Sequence, residues 1–127
     1  ESVFADGFLA ADMLRKENPD AFATLSRTER RYRCMDHVAT GWHLEASGPV
    51  ITVSNNGQVV MIRHNDLDRL PDLPPADTAN FDSFYESLHE AHQAWDNMLA
   101  RDELRLVMRL KPGDTMVVAN QVGSVMQ

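Results

Sequence analysis

The residues best suited to metal chemistry lie in His64-Asn65-Asp66, which spells His-x-Asp. On a strand, this spacing places both side chains on one face, and such a pair forms part of the two-histidine, one-carboxylate triad that holds iron(II). A three-letter pattern of common residue types is a weak signal, and His89 and His92 fall on a predicted helix. We therefore interpret His64-Asn65-Asp66 as the polar end of a strand.

A second group suited to metal binding is His89, His92 and Asp96, spaced i, i+3, i+7. These residues share one helical face, and their types are those that bind zinc. His92, however, lies between Leu88 and Trp95 at the edge of the apolar face, where a histidine usually packs its ring and makes a hydrogen bond. We favour this structural role over metal binding.

Cys34 is the only cysteine, so no internal disulfide and no cysteine-rich zinc site can form. His37 is three residues further along the same predicted strand, which places it on the opposite face and argues against a nucleophilic pair. His43-Leu44-Glu45 is a still weaker metal pattern. An unpaired cysteine is typical of a reducing compartment, and we expect an intracellular protein, mitochondrial or cytoplasmic.

Charge and hydropathy exclude two classes of partner. The chain has 12 Lys+Arg against 19 Asp+Glu, a formal net charge of −7. Its basic cluster, Arg27, Arg30, Arg31 and Arg33, could meet a carboxylate ligand or an acidic partner, but we interpret it as surface charge. It is too small to neutralise a phosphate backbone, so no nucleic-acid partner is expected. No apolar run approaches the length of a membrane span, so no membrane partner is expected either.

Three segments show helical periodicity, and the predicted helices would help to position the candidate residues named above. Asp6 is a predicted N-cap for a helix over roughly 7 to 17, and Asn18-Pro19 predicts the start of a second helix. A long amphipathic helix follows a proline-rich connector. Its apolar face consists of Phe81, Phe84, Tyr85, Leu88, Ala91, Trp95 and Leu99.

Alternating patterns predict strands that face a core on one side. Asn55-Asn56-Gly57-Gln58 connects two apolar runs and predicts a tight hairpin, because Asn-Gly tolerates positive φ. The alternating residues on the core side are Tyr32, Cys34 and Val38, then Trp42, Leu44 and Ala46, then Leu104, Leu106, Met108 and Leu110. Lys111-Pro112-Gly113-Asp114 predicts a turn into a final strand, Thr115 to Ala119.

A length of 127 residues suits one domain over residues 1–127. Antiparallel strands with segregated helices predict an α+β fold, with an N-terminal helix pair and one long inserted helix. Five or six predicted strands are too few to close a double-sheet roll of eight.

Several short segments, taken in order, resemble the C-terminal half of the carnitine-biosynthesis oxygenases, the γ-butyrobetaine and trimethyllysine hydroxylases. The resemblance covers nearly the whole chain and implies a partial double-stranded β-helix, or jelly roll. In the intact family it implies Fe(II) and 2-oxoglutarate as cofactors and a small quaternary-ammonium substrate. The matching segments are Glu1 to Phe8, Asn18 to Phe22, Gly48 to Ile51, Ile62 to Arg69, Phe84-Tyr85, Leu110 to Asp114 and Asn120.

The resemblance also implies where the iron ligands belong. The family's His-x-Asp precedes its Asp-Gly-Phe segment, so it would lie upstream of Glu1, and His64 and Asp66 are not the metal pair. The second histidine falls at Val125, and the chain ends before the arginine that binds 2-oxoglutarate. We therefore expect no metal ligand, no catalytic residue and no cofactor in this chain, and no turnover from it alone.

Asn65 is the one ligand-binding residue that the resemblance carries over. It matches an asparagine implicated in holding the substrate carboxylate, and the alternative is that Asn65 only satisfies local backbone. Two functions are favoured: part of a hydroxylase, or a non-catalytic binding and assembly module that retains half of the fold. An unrelated small-ligand binder is a third class, although nothing in the sequence marks a distinct pocket. Half of the fold would leave an apolar face uncovered. We expect a homo-oligomer, namely a dimer, to cover this face, or else the missing segment of the parent fold.

Overall fold

A computed structural model of the chain describes residues 2–36, 38–65, 67–119 and 123–126. The elements, in chain order, are β1 (Ser2–Asp6), α1 (Gly7–Glu17), α2 (Pro19–Arg27), β2 (Arg30–Met35), β3 (His43–Gly48), β4 (Ile51–Val53), β5 (Val59–Ile62), α3 (Phe81–Leu99), a 3₁₀ turn (Asp102–Leu104), β6 (Arg105–Met108) and β7 (Gly123–Met126). The predicted α+β class is confirmed, with the helix pair and the long inserted helix in place. Among the described residues, no helix is both long and apolar enough to cross a bilayer.

Side-chain caps start all three α-helices, two of them at the caps that the sequence predicts, Asp6 and Asn18. Asp6 Oδ1 accepts hydrogen bonds from the backbone N–H groups of Phe8 and Leu9, at 3.1 and 3.0 Å. Asn18 Oδ1 accepts from the backbone N–H of Ala21 at 3.1 Å. Asn80 caps α3 in the same way. Each cap satisfies N–H groups that the first helical turn leaves without partners.

The core lies between the three helices and the β4–β5 hairpin. The predicted hairpin is confirmed, and Gly57 adopts the positive φ of +84° that its turn requires. The largest fully buried side chains are Trp95, Leu14, Leu25, Ile51, Leu99 and Val50. This helical layer fixes the hairpin from which the next segment of chain emerges.

The β2–β3 pair corrects the prediction that its alternating residues face a core. Leu44 is 61% exposed, Cys34 is also exposed, and Val38 lies in a turn beyond the end of β2. Only the base of the pair reaches the buried interior, where Arg30 pairs with Gly48. Most of the remaining residues of the pair are exposed, so alternation along these strands does not correspond to burial.

The third sheet has the order β6-β1-β7, with β1 antiparallel to both neighbours. β1 does not appear among the strands predicted from the sequence, and the predicted strand over Thr115 to Ala119 is wrong. Residues 115–119 form no ladder with any described strand, and since a strand needs a partner edge, their local alternation alone does not produce one. The described strands number seven, in one three-stranded and two two-stranded sheets, and the jelly roll stays a prediction.

Candidate functional site

The candidate site is the segment from Arg63 to Asp72, which follows β5 and carries His64 and Asn65. Its start is fixed by Arg63, whose Nη1 donates to Thr52 Oγ1 at 2.8 Å and to the Pro49 carbonyl at 3.3 Å. The guanidinium lies against Gly48, where an added Cβ would come within 2.9 Å of Arg63 Cζ. A side chain at position 48 would therefore displace the Arg63 guanidinium from its place against the β4 end of the hairpin.

Asn65 forms a local turn at the exposed tip of the segment. Its Oδ1 accepts the backbone N–H groups of Leu67 and Asp68, at 3.0 and 3.3 Å. Its Nδ2 donates to Asp68 Oδ2 at 2.8 Å. These bonds are those of a residue that satisfies local backbone, and binding of a carboxylate by Asn65 stays a prediction. Asp66 lies outside the described residues.

The outer edge of β2 holds the second half of the segment. The Arg33 N–H donates to the Asp68 carbonyl at 2.7 Å, and the Leu70 N–H donates to the Arg31 carbonyl at 2.9 Å. Between them, Tyr32 and Arg69 form an isolated antiparallel bridge. Burial raises the pKa of the Tyr32 hydroxyl, so this ring remains neutral at physiological pH.

Arg30 corrects the interpretation of the arginine cluster as surface charge, because it is only 3% exposed. Its Nε and Nη2 donate to the two carboxylate oxygens of Asp72, at 2.8 and 2.5 Å. Its Nη1 contacts the ring of His92 on α3, 3.0 Å from Nδ1. Tyr85 donates from its hydroxyl to the Asp72 carbonyl at 3.1 Å. Arg30 and Asp72 are 42 residues apart, and the sequence contains no local signal for their pairing. The sequence analysis therefore does not predict this ion pair.

A small cavity of about 280 Å³ opens beside this pair. The residues that line it are Arg30, Arg69, Asp72, Tyr85, Leu88, His89 and His92. His92 thus has the structural contact that the sequence favours, and His89 is exposed.

The third sequence pattern, His43-Leu44-Glu45, is an ion-pair site. His43 Nε2 and Arg33 Nη2 each lie 2.9 Å from Glu45 Oε1. The hydrogen bond to His43, followed by that to Arg33, lowers the pKa of the Glu45 carboxyl. This carboxylate therefore joins β2 to β3 through its contact with Arg33.

An apolar groove of about 430 Å³ lies between β1, the start of β6 and residues 116–119. Its lining residues are Phe4, Ala5, Asp6, Leu104, Leu106 and Met116 to Ala119. Val125, the position of the family's second histidine, pairs with Phe4 across β1 and β7.

The described residues do not fit an iron(II) ion. Among them, no group of three or more histidine, cysteine, aspartate or glutamate side chains lies close enough to hold a metal. The residue at 125 is a valine, which has no donor atom in its side chain. The expectation that this chain lacks an iron site stays a prediction, since seven positions lie outside the described residues.

Three curated proteins similar to this chain are much longer than it is. Trimethyllysine dioxygenase, mitochondrial, from Gallus gallus is 30% identical over 122 residues, which cover 94% of this chain and 28% of that protein. The Homo sapiens protein of the same name is 26% identical over 121 residues, with the same coverage. Gamma-butyrobetaine dioxygenase from Homo sapiens is 26% identical over 122 residues, covering 94% of this chain and 30% of that protein.

The chain therefore spans less than a third of the length of these relatives. The resemblance inferred from the short segments is confirmed. Residues 1–122 match the family described as taurine catabolism dioxygenase TauD, TfdA. Because this match covers nearly the whole chain, the chain belongs to the TauD/TfdA family of dioxygenases.

Proposed function

We propose that the chain is the C-terminal part of an Fe(II)- and 2-oxoglutarate-dependent dioxygenase that hydroxylates trimethyllysine or γ-butyrobetaine, and that it is inactive alone. The observation that carries this proposal is the family match over residues 1–122 in a chain that spans 28% of trimethyllysine dioxygenase from Gallus gallus. The trimethyllysine dioxygenases among the relatives bear a mitochondrial designation, which supports an intracellular location for this chain.

The open sheet supports the structural half of the proposal. In a partial jelly roll, β6, β1 and β7 form part of one wall, and the apolar groove beside β1 and β6 faces a second wall. Leu106 lines this groove and is 56% exposed. An exposed apolar groove of this kind is unusual on a sheet face that contacts only solvent. Either the remaining segment of the parent fold or a second copy of this chain in a homo-oligomer would cover the groove.

Asn65 supports the ligand-binding half. Its amide lies at an exposed tip whose backbone is fixed on both sides, and an amide N–H donates to a carboxylate. Both proposed substrates are small quaternary-ammonium compounds with a carboxylate. The metal ligands and the pocket for the quaternary ammonium are assigned to a part of the parent outside this chain.

A turnover assay tests the proposal. The purified chain is supplied with Fe(II), ascorbate, 2-oxoglutarate, O₂ and either trimethyllysine or γ-butyrobetaine, and hydroxylated product and succinate are measured by mass spectrometry. Trimethyllysine dioxygenase from Gallus gallus is the positive control. We expect product from the control and none from the chain, and hydroxylated product from the chain would overturn the proposal of inactivity.

The alternative function is a non-catalytic binding or assembly module, and the edge strand β6 favours it. β6 is terminal in its sheet, and Val107 is 49% exposed on the face opposite Leu106. Such a strand can pair with a strand of another chain. A stable complex whose formation buries β6, measured by hydrogen exchange of its backbone amides, would support this module.

A further inference from the structure

The helix pair carries a guanidinium that has no counter-ion among the described residues. The Cζ atom of Arg15 on α1 lies 4.3 Å from the centre of the Phe22 ring on α2, a cation–π contact. Its Nε is buried without a hydrogen-bond partner, and no described residue forms an ion pair or a hydrogen bond with the rest of the guanidinium. Polar and charged groups withdrawn from water are normally paired, so Arg15 lacks the acceptor that its position requires.

A cavity of about 440 Å³ opens beside Arg15, between α1 and the tip of the β4–β5 hairpin. Phe8, Asp12 and Arg15 line it from α1, and residues 56–59 line it from the hairpin. Small-molecule sites have volumes of about 300 to 1,000 Å³, so this cavity has room for a ligand that supplies the missing acceptor.

The hairpin brings a second donor to the same cavity. The side-chain amide nitrogen of Asn56 donates to Gln58 Oε1 at 3.4 Å, so the oxygen of the Gln58 amide is engaged locally. The amide nitrogen of Gln58 carries two hydrogens, and neither has an acceptor among the described residues. Arg15 and Gln58 therefore line one cavity from two different elements, and both can donate to an anionic oxygen.

We propose that this cavity binds a small organic monocarboxylate, with its carboxylate on Arg15 and its apolar body against Phe8 and Val59. The guanidinium donates to the ligand carboxylate as Arg30 donates to Asp72 elsewhere in the same molecule. Gln58 donates to the carboxylate from the hairpin. The cavity shares no lining residue with the candidate site or with the apolar groove, so the inference does not depend on the proposed function.

Asp12 sets the charge that the ligand can carry. It lies three residues before Arg15 on α1, lines the same cavity and is exposed. Residues three apart on a helix are neighbours, so the charges of Asp12 and Arg15 cancel at longer range. A second negative charge on the ligand would gain no attraction from this pair and would still lose hydration. A monocarboxylate therefore fits the cavity better than a phosphate monoester.

The experiment is a titration of the full chain with benzoate, phenyl phosphate and benzamide, followed by NMR of the Arg15 Nε–H and the Val59 methyl groups. The three ligands share an aromatic ring, and they carry one negative charge, about two and none. Arg15→Gln removes the anchor, Gln58→Ala removes the second donor, and Asp12→Asn removes the opposing charge. Lys16→Gln removes an exposed cation of α1 that does not line the cavity, and it is the matched control.

We expect benzoate to shift both sets of signals at millimolar concentration, phenyl phosphate to bind about threefold more weakly, and benzamide to have no effect. Arg15→Gln should weaken benzoate binding at least about tenfold, and Gln58→Ala about threefold, the usual effects of losing a charged and a neutral donor. Asp12→Asn should remove the difference between benzoate and phenyl phosphate. Lys16→Gln should change each Kd by less than about twofold.

Equal shifts with benzoate and benzamide would overturn the recognition of a carboxylate, and so would equal losses in the Arg15 and Lys16 variants. Gln58→Ala lies at the exposed hairpin tip and leaves the contact of Arg15 with Phe22 in place, so it tests the site even where Arg15→Gln loses its fold. An unchanged Kd in Gln58→Ala would remove the hairpin from the site. Cavity signals of the unchanged chain that stay still at millimolar benzoate would overturn the proposal.

Discussion

At the scale of single residues, burial changes the meaning of Arg30. The sequence places it in a row of arginines, and only the tertiary structure separates it from its exposed neighbours. Removing one partner of a buried ion pair leaves the other charge without compensation, which costs far more than losing a surface pair. Asp72 would be that residual charge, since its side chain is only 14% exposed.

We predict that Arg30→Met lowers the free energy of unfolding by about 3 kcal/mol or more. The double variant Arg30→Met, Asp72→Leu should regain most of this loss, because it removes the uncompensated carboxylate as well. Arg27→Met is the matched control and should stay within about 0.5 kcal/mol of the unchanged chain. Urea unfolding followed by tryptophan fluorescence measures all three, and equal losses in the Arg30 and Arg27 variants would contradict the assignment.

A pH-dependent contribution is predicted for Glu17, at the end of α1. Arg101 donates to both of its carboxylate oxygens, at 2.9 and 2.5 Å, and this hydrogen bonding lowers the pKa of the Glu17 carboxyl. A carboxyl whose pKa is lower in the folded state stabilises the fold above its unfolded pKa, and this contribution disappears as the pH falls through the folded pKa.

Glu17→Gln should therefore be less stable than the unchanged chain near pH 7, and the difference should shrink as the pH falls below about 4, the region of an unperturbed glutamate. Urea unfolding at a series of pH values measures this difference. Glu90→Gln, an exposed residue of α3, is the control for a general charge effect. A difference for Glu17→Gln that stays constant down to pH 3 would contradict the role of the ion pair.

At the scale of elements, the sequence predicts what local chemistry decides. The helix starts, the hairpin at Asn56-Gly57 and the α3 helix follow from caps, turn residues and periodicity, and all are confirmed. Strand β1 and the absence of a strand over residues 115–119 depend on pairings between distant segments. The same limit applies at the site. The resemblance points to Asn65, whose ligand-binding role stays a prediction, and the Arg30–Asp72 pair has no signal in the sequence.

The cap between α1 and α2 gives the prediction at this scale. Asn18 ends α1 through its backbone and starts α2 through its side chain, so it sets the angle of the helix pair. Asn18→Ala should cost about 1 kcal/mol of stability, the usual effect of losing an N-cap. Asn97→Ala, at an exposed position on α3, should change it by less than about 0.5 kcal/mol. Comparable losses in thermal unfolding of the two variants would refute the capping role.

At the scale of the whole molecule, the outer edge of β6, which pairs with no other strand among the described residues, predicts self-association. Val107 and Leu106 expose apolar side chains on both faces of this strand, and we expect a dimer at micromolar concentration. Sedimentation equilibrium should show it, and Val107→Lys should weaken it at least about tenfold, since a lysine on an edge strand opposes pairing. Leu9→Lys, on α1, is the control and should leave the dimer intact. A monomer at all concentrations would contradict the prediction.

The central claim concerns the metal: this chain alone does not hold ferrous iron. It is tested most directly by adding Fe(II) to the purified chain with 2-oxoglutarate under anaerobic conditions and recording the visible metal-to-ligand charge-transfer band. We predict no band from the chain and a saturable band from trimethyllysine dioxygenase of Gallus gallus measured in parallel. A saturable band from the chain, at one iron per molecule, would contradict the account.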